Sequence, residues 1–353
     1  MNEGTETAVA ELDVLEIEST AAQPLEWSGV LAQQGYVFGV DISGDGERVV
    51  LADLRGNVLG RSAHLSGQSP NPLPAPPDEV IGRVSTMMRE LLKKKGVKER
   101  EVLRIGVGFG GPVDSRLGLV RTAHGAPGWD GFRVAAAIES LFDAATLLEN
   151  DARLAALGEV WFGTGHGDTG IDLVYVHWST GVGGGIVAEG RLLRGATTTA
   201  GEIGHTVVRT GKDALPCRCG SRGHLEAYVR APALLQRAQR LLAGTPRTAL
   251  PPADIKSLFA QAEHDPTLRQ LVDEAVEMMA VTVANLITSL NPKVAVIGGR
   301  VAREGAHLVP RIGELARSYA MPVSAQDVTV EPAVLGEEAT VMGAVALALD
   351  SLR

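Results

Sequence analysis

Residues 174–195 read VYVHWSTGVGGGIVAEGRLLRG, residues 200–205 read AGEIGH and residues 217–226 read CRCGSRGHLE. The apolar runs at 174–178 and 185–187 predict two strands, with 179–184 as the tight turn of a hairpin between them. A hydroxyl residue followed by four glycines in five positions, 181–185, lets backbone N–H groups approach an anion closely. Such a turn suits a phosphate; a merely flexible turn is the other reading.

Downstream, His205, Cys217, Cys219 and His224 make a Cys2His2 donor set for tetrahedral zinc. Cys217 and Cys219 are the two cysteines of the chain. A disulfide across one intervening residue would be strained, and an otherwise cysteine-free chain points to a cytosolic setting. The alternative is a pair of reduced, inert thiols beside two surface histidines. Zinc is favoured because the glycine-rich loop offers little apolar surface that would order it otherwise.

AGEIGH followed by CRCGSRGHLE resembles the signature of the ROK family, named for its repressors, open reading frames and sugar kinases. The usual pattern is CxCGxxGCxE; here His224 stands for the third cysteine, and histidine also binds zinc. The resemblance runs from Tyr36 onward. It implies an α/β, two-domain, actin-like or hexokinase-like (ribonuclease-H-like) fold with an inter-domain cleft. An N-terminal domain would span 36–150 and be joined by a closing helix at 339–352. A C-terminal domain would span 151–338 and carry the zinc-binding insertion. No strong internal repeat is evident, since the two glycine-loop hairpins echo each other only loosely.

Composition fits this class. The chain has 353 residues, is 45% hydrophobic and 21% charged, and carries a net charge of −9. That sign argues against a general electrostatic attraction to nucleic acid or an anionic membrane. No apolar run approaches the ~20 residues needed to span a bilayer, and the N-terminus lacks the pattern of a secretion signal. A cytoplasmic protein is expected. Residues 1–35 hold seven acidic residues and no lysine or arginine, which predicts a disordered acidic tail with a short helix around 10–17. ROK repressors carry a helix-turn-helix ahead of the sugar-binding part. Nothing in this tail supplies its two helices and basic phosphate contacts, so no direct contact with nucleic acid is expected.

Along the chain, 36–41 (YVFGVD) reads as a buried strand and 47–53 as its hairpin partner, with 42–46 between them. In sugar kinases of the actin-like superfamily a strand-end aspartate here holds Mg²⁺ through water and a GGT-like turn contacts the nucleotide. Asp41 and Gly44 match, whereas Ser43 stands for a glycine and Asp45 for the usual threonine. An aspartate ~4 Å from a phosphate charge in an effective dielectric of ~20 is repelled by roughly 4 kcal/mol, about a thousandfold in affinity, unless Asp45 turns outward or meets a cation.

A proline-rich connection at 70–78 precedes an amphipathic helix at 79–95, a strand at 104–109 and a helix at 135–141. In the family the Gly110-Gly111-Pro112 turn borders the sugar pocket, and 124–132 (HGAPGWDGF) resembles the loop that follows. Trp129 has two readings, core packing or sugar contact. A strand at 146–150 then delivers Asn150 and Asp151 into a helix at 152–162. Asp151 reads either as a helix N-cap or as a general base at an open strand terminus; ENDARLAALGE resembles the ROK catalytic segment and favours the base. Helices follow at 231–242, 254–262, 268–290 and 306–319, with a loop at 245–252 and strands at 293–297 and 328–332. Without the resemblance, Gly298-Gly299 is a turn; within the family such a pair lies against the adenosine.

Two functions follow from the resemblance. The first is an ATP-dependent kinase acting on a hydroxyl of a hexose, amino sugar or similar polyol. Asp151 would be the base, and Asn150, Glu202, His205 and Glu226 would hold the ring hydroxyls. Asp41 would organise Mg²⁺, while Gly44, Thr180, Gly181 and Gly183 would contact phosphates. Zinc would be structural, and a homodimer is expected. The second is a non-catalytic sugar sensor acting through a partner, since ROK regulators share the sugar-binding motifs and commonly carry a degraded first phosphate loop.

Overall fold

The computed structural model describes residues 35–66, 75–123, 126–168, 170–243 and 251–353. The expected acidic tail with its helix at 10–17, His124-Gly125 and most of the 245–252 loop lie outside the described residues. So does the stretch 70–74 of the proline-rich connection. The chain divides into two compact units, Met1–Asp151 with Val341–Arg353, and Ala152–Thr340.

The first unit contains β1 (Tyr36–Ser43), β2 (Gly46–Asp53), β3 (Val58–Leu65), α1 (Pro77–Lys95), β4 (Val102–Phe109), the short pair β5 (Val113–Asp114) and β6 (Leu119–Val120), α2 (Val134–Phe142) and β7 (Ala145–Asn150). Its main sheet has the order β3-β2-β1-β4-β7. β1 is antiparallel to β2 and parallel to β4. Strand residues alternate between faces, so Phe38, Val40, Ile42, Ile105, Val107 and Phe109 form one core with α1 and α2. Trp129 is buried in it, 4.7 Å from Phe109 between ring centroids, and its indole N–H donates to the Ala75 carbonyl at 2.7 Å. It is a core residue. On the opposite face the paired Gly39 and Gly106 admit the C-terminal helix (Ala339–Asp350). A Cβ at Gly106 would lie 2.0 Å from the Ala344 carbonyl oxygen, and one at Gly39 would lie 2.4 Å from that of Val341.

The second unit takes α3 (Asp151–Phe162) from Ala152 on. It continues with β8 (Leu173–Trp178), β9 (Val182–Ala188), β10 (Arg191–Leu192), α4 (Glu226–Val229), α5 (Ala231–Leu242), α6 (Ile255–Ala262), α7 (Pro266–Leu290), β11 (Val294–Gly298), α8 (Arg300–Glu304), α9 (Val309–Tyr319), α10 (Pro322–Ala325) and β12 (Thr329–Pro332). The sheet order is β10-β9-β8-β11-β12. One face packs Val174, Val176, Trp178 and Ile297 under the long apolar helices, chiefly α5, α7 and α9. The other packs Tyr175, Val294 and Val296 against Ala155, Ala156 and Val160 of α3.

The two sheets share a pattern that their sequences do not. Each begins with antiparallel strands and continues with two parallel ones in equivalent positions. Other expectations need correcting. The first turn is two residues, 44–45, because β1 and β2 pair through Ser43↔Gly46. The second is residues 179–181, so Gly183 and Gly184 lie in β9 rather than in a loop. At Gly184 and Gly185 the missing side chain serves close packing: a Cβ at Gly184 would lie 2.1 Å from Ile203 Cδ1, and one at Gly185 would lie 2.4 Å from Ala156 Cβ. The helix expected at 306–319 is broken into a 3-10 turn and α9.

Candidate functional site

In the first unit the turn follows from strand register. With a two-residue connection, Asp41 on β1 stands opposite Arg48 on β2. Asp41 is 4% exposed; its Oδ2 accepts from Arg48 Nη1 at 3.3 Å, and its Oδ1 has no hydrogen-bond partner among the described residues. Burial pushes its pKa up to about 7. Arg48 pulls the other way, and the charges of Asp45 and Asp151 add to the rise. Asp45 accepts from Ser43 Oγ at 2.6 Å and from Arg48 Nη2 at 3.5 Å. Desolvation pushes the Asp45 carboxyl up, but the Arg48 charge and these hydrogen bonds outweigh it and hold the group below the usual carboxylate range. The Gly44 carbonyl accepts from Ser66 Oγ at 2.8 Å, and the Asp45 carbonyl from the Ser66 amide at 3.0 Å. Gly46 has φ +134° and lies so close to the His64 carbonyl that only glycine fits.

Asn150 ends β7 and Asp151 is the first residue of α3. Asn150 Nδ2 donates to Asp151 Oδ1 at 2.8 Å and to the Gly111 carbonyl at 3.1 Å. Gly110 follows β4 beside them, and a Cβ there would lie 3.5 Å from Asp151 Oδ2. Asp41, Gly110, Asn150 and Asp151 thus gather at the carboxyl ends of β1, β4 and β7, where open α/β sheets place ligands.

In the second unit the turn 179–181 closes through a hydrogen bond from the Ser179 amide to the Gly181 carbonyl, at 2.9 Å, with Thr180 at its tip. Gly201, Gly204 and Gly184 let residues 200–205 lie directly on β9. A Cβ at Gly204 would sit 2.1 Å from the Val182 carbonyl oxygen. This places Glu202 and His205 together, with Glu202 Oε2 4.0 Å from His205 Nε2. His205 Nδ1 points the other way, 3.2 Å from His224 Nδ1 and 3.6 Å from Cys217 Sγ; Cys219 Sγ is 3.3 Å from His224 Nδ1. One donor atom from each of the four lies within 4.8 Å of the others. Tetrahedral zinc with ~2.0 Å bonds to nitrogen and ~2.3 Å to sulfur needs N···N near ~3.3 Å and N···S near ~3.6 Å. These three separations match a tetrahedral site, and with its outermost donors, up to 4.8 Å apart, drawn in, the set suits zinc.

Glu226 begins α4 and is 2% exposed. Arg218, between the two cysteines, donates from Nε to Glu226 Oε1 at 2.7 Å and from Nη2 to Oε2 at 3.1 Å; the Val182 amide also donates to Oε2, at 3.2 Å. Arg218 and Arg48 were not anticipated. Their signal was available in part: Arg48 is the residue a two-residue hairpin places across from Asp41, and Arg218 is the x of CxC. Gly298 and Gly299 are explained by packing. A Cβ would lie 2.1 Å from Tyr175 Oη at the first and 2.6 Å from the Trp178 carbonyl oxygen at the second, where φ is +90°.

Two α/β sheets of equivalent order, each with a hairpin turn followed by parallel strands, define the actin-like sugar-kinase class of fold, and solved ROK sugar kinases share it. The ROK family model matches residues 37–351. The chain belongs to the ROK family. It is 32% identical over 284 residues to the glucokinase of Thermotoga maritima, covering 76% of this chain and 85% of that one. It is also 25% identical to the xylose repressor of Caldicellulosiruptor bescii, over 90% of this chain and 79% of the repressor. Among solved structures, the Streptomyces griseus ROK glucokinase in complex with glucose and AMPPNP superposes with a TM-score of 0.73 at 26% identity. That match covers 90% of this chain and 100% of the other. Among the described residues no helix is long and apolar enough to cross a membrane.

Proposed function

We propose that this chain transfers the terminal phosphate of ATP to a hydroxyl of a hexose or related polyol. The observation that carries the reading is Asp151, held by Asn150 at the end of β7 beside Asp41. Asp151 accepts the proton of the attacking hydroxyl as the new O–P bond forms and ADP leaves. Asn150, Glu202, His205 and Glu226 hold ring hydroxyls, carboxylates being suited to accept several hydrogen bonds at once. Gly44, Thr180, Gly181 and Gly183 contact phosphates, and Gly298 and Gly299 lie along the adenosine. Asp41 organises Mg²⁺ through water. The ion supplies neutralisation of phosphate charge and, by its own charge, favours the ionised form of Asp41. His205, Cys217, Cys219 and His224 hold a structural zinc that fixes the loop bearing Arg218. We further take the protein to be a cytoplasmic homodimer with its own kinase activity. The Asp45–Arg48 contact supports competence, because a compensated carboxylate repels a triphosphate less than a bare one.

A specific observation keeps a second reading alive. Asp45 occupies the first phosphate turn, and a chain with a repressor among its relatives would serve as a sugar sensor if that turn rejected nucleotide. Asp151→Asn separates the two in an ADP-release assay with glucose and related hexoses. The kinase reading expects turnover to fall by roughly 10²–10⁴ with sugar affinity within about threefold of the parent. A parent protein that binds sugar but releases no ADP contradicts it.

A further inference from the structure

Glu226 is closed off in the folded chain. Its Oε1 accepts from Arg218 Nε at 2.7 Å, and its Oε2 accepts from Arg218 Nη2 at 3.1 Å and from the Val182 amide at 3.2 Å. A carboxylate offers about four acceptor positions, so roughly one remains. The Glu226 side chain is 3% exposed, whereas that of Arg218 is 42% exposed. The turn at 179–181 closes another side: a Cβ at Gly181 would lie 3.0 Å from Arg218 Nη2 and 3.3 Å from Glu226 Oε2. Sugar hydroxyls and guanidinium N–H groups both donate to a carboxylate, so they compete for the same lone pairs. A sugar that needs Glu226 meets Arg218 already in place.

The geometry lets Arg218 move while Glu226 stays. Glu226 begins α4, and its carboxylate is tied to the main chain of β9 through Val182. Arg218 lies between Cys217 and Cys219, in a loop held by hydrogen bonds from the Cys217 amide to the Ser221 carbonyl at 2.8 Å and from the Gly220 amide to the Cys217 carbonyl at 3.0 Å. About that fixed main chain the long, half-exposed side chain can rotate into water. Its departure does not strip Glu226 of a counter-charge. Burial and then the charge of Arg218 lower the pKa of half-buried Arg230, while the charges of Glu226 and Cys217 oppose the fall. With Arg218 withdrawn, the repulsion on Arg230 weakens and its attraction to Glu226 remains.

We propose that Arg218 is a positioning residue that latches Glu226 in the sugar-free protein, and that a hexose enters by displacing the guanidinium from the carboxylate. The latch rests on the reading of Glu226 as a ligand of ring hydroxyls. Sugar then binds against a bidentate, charge-assisted pair, which lowers its affinity.

The test is calorimetry on the full-length protein and its Arg218→Ala and Arg218→Lys variants, with glucose, mannose and glucosamine as probes. Circular dichroism and metal content equal to the parent's check that fold and loop are intact. The proposal expects Arg218→Ala to bind one or more of these sugars roughly tenfold more tightly than the parent, the scale of one charge-assisted hydrogen bond. Arg218→Lys should fall between the two. A second measurement needs no variant: modification of Arg218 by phenylglyoxal, followed by peptide mass spectrometry. It should be faster with saturating sugar than without, because the displaced guanidinium is free of Glu226. Equal or weaker sugar binding by Arg218→Ala, or protection of Arg218 by the sugar, overturns the latch and leaves the sugar reading standing. Sugar binding by Arg218→Ala alone supports the latch in its strongest form. A parent and variant that both bind none of the three sugars refute the sugar reading, and the latch falls with it.

Discussion

The two hairpin turns occupy equivalent places in equivalent sheets and carry opposite charge. At the first, the carboxylates of Asp41 and Asp45 share one guanidinium, that of Arg48. At the second, the guanidinium groups of Arg218 and Arg230 are set against one carboxylate, that of Glu226. Topology alone therefore does not assign a turn its ligand. An acidic turn with a buried carboxyl oxygen awaiting a partner suits a hydrated cation. A glycine-lined turn between arginines suits a phosphate. A metal–nucleotide complex needs both kinds of chemistry.

The largest effect is expected from breaking the second unit at its donor cluster. Purified protein should contain one zinc per chain. Cys219→Ser should lose it and lower the Tm by roughly 10–20 °C, as expected when several kcal/mol of metal-linked stability is removed from a unit of this size. Sugar affinity should weaken with it. A folded protein with no bound metal, indifferent to chelator, would overturn the zinc assignment.

The next effect sharpens the first turn. Asp41 keeps its proton in the folded chain up to pH about 7, whereas the unfolded chain loses it near pH ~4. Between these values the folded state binds more protons. The stabilisation from this group is therefore full below pH ~4 and lost as pH rises through about 7. Without divalent cation, urea titrations at pH 5 and pH 8 should show a fall of roughly 2–3 kcal/mol that Asp41→Asn removes. Mg²⁺ should restore stability to the parent at pH 8 and not to the variant. Equal pH slopes for the two proteins would contradict this account of Asp41.

The smallest effect tests whether Asp45 is compensated. With Arg48 beside it, the combined Ser43→Gly and Asp45→Thr variant should bind MgATP only about tenfold more tightly than the parent, well short of the roughly thousandfold expected for a bare charge. A gain from undetectable to strong binding would instead favour the sensor reading.

Much of this was legible in the sequence. The amphipathic spacing of α1, the order strand, Asn-Asp, helix at 146–162, and the AGEIGH and CRCGSRGHLE motifs located their elements because each has a local physical cause. What remained hidden depends on distant partners. Gly183 and Gly184 read as part of a turn because glycine is the usual turn residue; they sit on a strand, where Ala152 and Ile203 approach them from elsewhere in the chain. Arg48 acquires a role only once the turn is known to be two residues long, which fixes Asp41 opposite it. Arg218 and Arg230 are ordinary surface cations until folding brings both to Glu226. The equivalence of the two sheets leaves almost no trace in the residues, since alternation of buried and exposed positions can be met by many different side chains.

The most direct test of the central claim is calorimetry of MgATP binding, alone and with glucose present. The account predicts measurable nucleotide binding that tightens when the sugar is bound. Sugar binding with no detectable affinity for MgATP in either condition would contradict it, and Asp45 would be the first residue to re-examine.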